Sequence, residues 1–183
     1  MFEITVTDLE MAKIKMVNGP TCIVSLLDET RAVEKQGDHH LIVEVSDVVK
    51  EMVVLGQSTA AVVPGAEHLK IVLDHTKNLT DDDKVLVHCF AGQSRSTAMA
   101  IAICIQHGMH WKDAFHHIET VRPVMMPNQK IIMTIDQHFG LNGELVEYHH
   151  EWLLQQFSKP MAPVKKFSGK DFADILKIID DNS

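Results

Sequence analysis

The run from Val85 to Thr97, Val-Leu-Val-His-Cys-Phe-Ala-Gly-Gln-Ser-Arg-Ser-Thr, limits how this chain can fold more than any other stretch. Val85, Leu86 and Val87 are uniformly apolar rather than alternating, which suits a strand covered on both faces in a parallel sheet. From Ser94 to Ile105 the sequence is rich in alanine and isoleucine, with no glycine or proline, and predicts a buried helix. The residues between therefore carry the chain from the C-terminal end of a strand to the N-terminus of a helix. Unpaired N–H groups and the positive end of the helix dipole meet at such a junction and favour an anion. The implied class is α/β, with a central, mainly parallel sheet of four to five strands flanked by helices.

Cys89 lies where that positive potential converges, and a thiol is a strong nucleophile only as the thiolate that such potential favours. Five residues separate it from Arg95. Wrapped round one centre, Phe90, Ala91, Gly92, Gln93 and Ser94 would turn successive backbone N–H groups inward, with Gly92 free to take a left-handed conformation. Such a ring cradles three phosphoryl oxygens, and the Arg95 guanidinium adds a planar fork for two of them. Ser96 offers a hydroxyl to the Cys89 sulfur. His88 stands behind the thiol, where it would help to lower the thiol pKa.

Cleaving a phosphate ester also needs an acid to protonate the leaving oxygen. In an open parallel sheet, ligands gather at the C-terminal ends of strands. Asp81, Asp82 and Asp83 precede the Val85 strand and lie about 15 Å from its far end at about 3.3 Å per residue. Asp74 belongs to a helix running toward that same wrong end. Asp28 and Asp47 both follow apolar, strand-like stretches, Thr21 to Leu27 and Leu41 to Val45, and either would reach the pocket.

The remaining chain supplies the frame. Phe2 to Val6 alternates like an edge strand, and Thr7-Asp8 can cap a short helix carrying Leu9, Ala12 and Met16. The polar stretch from Asp28 to Gly37 has room for one or two helical turns, and the mixed region from Ser46 to Gly65 has no readable pattern. Helices are predicted over Ala66–Leu79, over Trp111–Val121 and after Asn128, the last burying Ile131, Ile132, Ile135 and Phe139. A further helix over Gly143–Phe157 uses Leu145, Trp152, Leu153 and Phe157. The expected organisation is a catalytic domain over 1–157, a basic, proline-broken linker over 158–166, and a C-terminal helix over 167–183 packing in cis.

His88-Cys89 with Gly92, Ser94, Arg95 and Ser96 resembles the signature of the protein tyrosine phosphatase superfamily, most of all its small bacterial tyrosine and dual-specificity members. The resemblance covers about residues 2–140 and implies a dual-specificity-phosphatase-like fold, a phosphocysteine intermediate, and no metal or organic cofactor. His40-Leu41 through Ser46-Asp47-Val48 is similar to the strand and aspartate of small bacterial members, which implies Asp47 as the acid, with Glu51 in reserve. Arg122-Pro123 and Pro127-Asn128 are similar to the segment that buttresses the loop in dual-specificity phosphatases, which gives Asn128 a supporting role. No aromatic recognition loop precedes the signature. The resemblance thus implies a shallow pocket open to phosphotyrosine, phosphoserine and phosphothreonine.

Composition removes other classes. A net charge of −8 argues against a nucleic-acid partner or an anionic membrane surface. No apolar run reaches about 18 residues. Three scattered cysteines do not form a disulfide framework and no signal-peptide pattern opens the chain, so a reducing cytoplasm is expected. Cys22 and Cys104 read as core residues. Twelve histidines include the pairs His39-His40, His116-His117 and His149-His150, but adjacent residues point to opposite sides of an element and cannot chelate together. They are expected at the surface. The partner is a phosphorylated protein or a small phosphate ester, and the oligomeric state stays open. Competing functions are an inositol phosphate, nucleotide or RNA-end phosphatase, which the neutral Phe90, Ala91 and Gln93 disfavour, and a weakly active phosphate-binding domain.

Overall fold

The computed structural model describes residues 2–17, 19–29, 31–49, 53–54, 57–58 and 61–158. In chain order its elements are β1 (Glu3–Thr7), α1 (Leu9–Met16), β2 (Cys22–Leu27), β3 (His40–Glu44), β4 (Val53–Val54), β5 (Gln57–Ser58), α2 (Ala66–Thr76), β6 (Lys84–His88), α3 (Arg95–Gln106), α4 (Trp111–Val121), α5 (Gln129–Phe139) and α6 (Glu144–Ser158). Four strands form an all-parallel sheet in the order β1-β6-β2-β3, and β4 pairs with β5 as a separate antiparallel ribbon. The ribbon falls in the stretch whose sequence gave no pattern.

Two crossovers set the layers. The chain passes from β1 over β6 to β2 in one direction, and from β3 back over β2 to β6 in the other, so right-handed connections put α1 and α2 on opposite faces. Helix α1 lays Ala12 and Met16 on Ile23 and Leu86. Helix α3 packs among α2, α4 and α5 and is buried nearly all round, as its uniformly apolar sequence requires. The loops after β1 and β6 thus leave toward opposite faces and open a crevice at the carboxyl edge of the sheet. Residues 89–94 follow β6 at that edge and lead into α3.

Some expectations fail for local reasons. The described residues between Asp28 and Gly37 contain no helix; Arg31 N–H closes only a single turn onto the Asp28 carbonyl, at 3.0 Å. Phe139 is half-buried because α5 stops at once on Gly140, whose φ of 65° ends the helix. Phe157 is 74% exposed. The chain divides into compact units at Glu151 and Trp152, and the second is described only to Ser158. The remainder of the expected linker and the helix over 167–183 lie outside the described residues.

Candidate active site

The loop after β6 is shaped by what its carbonyls bind. Phe90 C=O accepts from Leu9 N–H at 3.1 Å and Gln93 C=O from Met126 N–H at 2.8 Å. Ala91 and Gly92 carbonyls accept from Arg122, from Nη2 at 3.2 Å and Nε at 3.0 Å. Ser94 C=O accepts from Ala98 N–H at 3.2 Å and Asn128 N–H at 3.3 Å. No peptide here is cis, so each carbonyl held outside turns the next N–H the opposite way. The N–H groups of residues 91–95 therefore face inward. Gly92 is required twice: its φ is 64°, and a Cβ would collide with the Thr7 carbonyl group and Asp8 nitrogen. That contact between the β1–α1 junction and the loop leaves no trace in the sequence pattern.

Inside the ring, Cys89 is 1% exposed and its Sγ lies 3.2 Å from Ser96 Oγ on the first turn of α3. Arg95 is also buried. Its Nη1 donates to Val45 C=O at 2.7 Å and stands 3.8 Å from Asp28 Oδ2, while its Nε is buried with no hydrogen-bond partner. An orphaned charged donor of this kind is costly until an anion satisfies it. Asp28 also stands 3.6 Å from Arg31 Nε, and the Arg31 guanidinium lies 3.4 Å over the Phe90 ring. Neither Arg31 nor its stacking was anticipated.

The two candidate acids occupy different surroundings. Asp28 faces two arginines. Asp47 is exposed, and its Oδ1 accepts from the Ser94 hydroxyl at 2.5 Å and from Asn128 Nδ2 at 2.9 Å. Asn128 is held in turn, because its Oδ1 caps α5 by accepting from Ile131 N–H at 3.2 Å. One asparagine thereby joins the α5 N-terminus, the loop after β6 and Asp47. Glu51, the reserve acid, lies outside the described residues.

His88, expected behind the thiol, is fully buried, and burial pushes its pKa down to about 4, partly offset by the Cys89 backbone and Asp8. A neutral imidazole supplies no full positive charge to the thiol. His40 and His149 are buried too, with burial holding each near 4, which corrects the expectation that the histidines lie at the surface. Burial pushes Cys22 up to about 11, helped by Asp83, and Cys104 up to about 12, so both remain thiols in the core. No helix among the described residues is long and apolar enough to cross a membrane.

Comparison with known proteins points the same way as the geometry. The family model for the dual specificity phosphatase catalytic domain matches residues 7–139. Dual specificity protein phosphatase 1 of Arabidopsis thaliana is 37% identical over 71 residues, which is 36% of this chain and 36% of the relative. Tyrosine-protein phosphatase yvh1 of Schizosaccharomyces pombe is 30% identical over 83 residues, 43% of this chain and 25% of the relative. The matched segments thus span about a third or less of these curated relatives. Among solved structures, DUSP15 superposes with a TM-score of 0.57 at 22% identity, covering 82% of this chain and 92% of that one. Human DUSP28 gives 0.56 at 20% identity, covering 84% and 94%. At those identities the structures speak for the fold.

Proposed function

Because the chain belongs to the dual specificity phosphatase catalytic-domain family, we propose that it hydrolyses phosphate monoesters on protein side chains, phosphotyrosine and also phosphoserine or phosphothreonine, through a phosphocysteine. The observation that supports this reading is that the carbonyls of residues 90–94 are bonded to Leu9, Arg122, Met126, Asn128 and Ala98, beside a buried Cys89 and a buried Arg95 whose Nε has no hydrogen-bond partner.

In the proposed first step the Cys89 thiolate attacks phosphorus, the S–P bond forms, the ester P–O bond breaks, and Asp47 gives its proton to the leaving oxygen. In the second, Asp47 takes a proton from water, the water oxygen attacks phosphorus, and the S–P bond breaks to release phosphate and restore the thiolate. The loop N–H groups and Arg95 hold the equatorial oxygens through both steps, where charge is greatest. The Ser96 hydroxyl, 3.2 Å from the sulfur, donates to the thiolate when it is the leaving group. Asp47 is preferred to Asp28 because its carboxylate is tethered to Ser94 of the loop, whereas Asp28 is engaged by Arg31 and Arg95. A thiolate nucleophile suits a reducing compartment, and the proposed site of action is the cytoplasm.

The test is hydrolysis of para-nitrophenyl phosphate and of a phosphotyrosine peptide, with vanadate as a phosphate mimic. Vanadate-sensitive turnover should vanish in Cys89→Ser and fall by ~10² or more in Asp47→Ala. A wild-type protein that binds vanadate but turns over neither ester would reduce the domain to a phosphate-binding module.

A further inference from the structure

Three buried side chains outside the phosphate loop line up behind it. Register places them: Ser25 on β2 pairs with His88 on β6, and His40 on β3 pairs with Ile23, two residues before Ser25. Residues two apart share a face, so Ser25, His40 and His88 all lie on the side of the sheet that α1 covers. Ser25 Oγ is 2.6 Å from His40 Nε2 and 2.5 Å from His88 Nε2, and all three residues are at most 1% exposed.

Hydrogen positions in this chain follow from one fixed donor. Gln36 N–H donates to His40 Nδ1 at 3.0 Å, and a backbone N–H can only donate. Neutral His40 therefore carries its proton on Nε2 and gives it to Ser25 Oγ. Ser25 has one proton of its own; given to His88 Nε2, the second ring nitrogen beside the hydroxyl, it completes a head-to-tail chain. His88 is then left with its proton on Nδ1, the nitrogen buried beside the Cys89 backbone without a well-formed partner.

We infer that Ser25 and His40 are positioning residues for the phosphate loop: a one-way hydrogen-bond chain from the Gln36 backbone through His40 and Ser25 fixes the tautomer and ring of His88, and through it the start of the nucleophile loop at Cys89. The ring nitrogen that His88 presents is set by the bond its other nitrogen makes. Here that bond is supplied by β2 and the turn before β3, not by the loop. The surrounding titratable groups are Lys35, His39 and His75 near His40, and Asp8 near His88. The role in turnover rests on Cys89 being the nucleophile; the hydrogen-bond order does not.

Nitrogen NMR of the wild-type imidazoles reads the order directly, independent of any activity. His40 should be the Nε2–H tautomer and His88 the Nδ1–H tautomer; an Nε2–H His88 overturns the inference whatever the enzyme does. Ser25→Ala should then move the pH midpoint of Cys89 alkylation by iodoacetamide upward and lower kcat about tenfold with KM little changed. Ser25→Thr, which keeps the hydroxyl, should restore both, and it guards against a Ser25→Ala chain that merely folds poorly. If Ser25→Ala folds and both quantities match wild type, the positioning role fails while the phosphatase reading stands. If wild type turns over no ester, the phosphatase reading fails, and the tautomers still decide the chain.

Discussion

Asn128→Asp separates two jobs that one side chain performs. The aspartate keeps the Oδ1 that accepts from Ile131 N–H and caps α5, but it replaces the Nδ2 donor, 2.9 Å from Asp47 Oδ1, with a second carboxylate oxygen. Two unit charges 4 Å apart at an effective dielectric of 20 repel by about 4 kcal/mol. The hydrogen bond that held Asp47 nets only about 1 kcal/mol. Asp47 is exposed, so it can swing into water and shed the repulsion, while the new carboxylate stays at the 5% exposure of Asn128 and carries a desolvation cost. Asn128→Ala does the reverse: it removes the cap, worth about 1 kcal/mol, yet leaves Asp47 bound to Ser94 without repulsion. Turnover of a phosphotyrosine peptide should therefore fall further in Asn128→Asp, by ~10², than in Asn128→Ala. If alanine loses more turnover than aspartate, or if both keep the wild-type kcat, Asn128 does not hold Asp47 for catalysis.

Gly92→Ala should destabilise by about 2–4 kcal/mol, from the left-handed backbone and the collision with Thr7 and Asp8, and should abolish vanadate binding. A variant that melts and binds like wild type would contradict the collision. The buried histidines make stability depend on pH. His40, His88 and His149 are held near 4 in the folded protein against an ordinary value of 6.5, so the unfolded chain binds protons first as pH falls. Their contribution is complete above pH 6.5 and is lost as pH drops through about 4. The urea midpoint should accordingly be lower at pH 5 than at pH 7, and equal midpoints would mean that these histidines are not buried neutral.

The loop after β6 was legible because the residues that signal it are consecutive. A strand ending in Cys89, one glycine, Arg95 and a breaker-free helix carry their geometry in about a dozen residues, and hydrophobic periodicity alone orients them. The sheet was legible for the same reason, since β2, β3 and β6 are short apolar runs bounded by turn residues. Asp47 was reached only through resemblance. Its spacing from Cys89 does not say that Ser94 and Asn128 will meet it, because those contacts join segments 47 and 81 residues apart.

The histidines show where sequence reading stops. His40 precedes Leu41-Ile42-Val43 and His88 follows Val85-Leu86-Val87, so each stands at the end of an apolar run, where local sequence does not distinguish a solvated imidazole from a buried one. The strand register sends both to the α1 face, where Ser25 is the hydroxyl between them. Arg31 is a similar case, since only the fold carries it over Phe90. The sequence by itself thus determined the fold class, the anion-binding junction and the pair Cys89 and Arg95, all properties of neighbouring residues. The tertiary structure decided which group of the loop each candidate carboxylate meets, which partners the loop carbonyls bond, and which buried side chain lies against His88, because each depends on strand order and register that bring distant residues within 3–4 Å or so of one another.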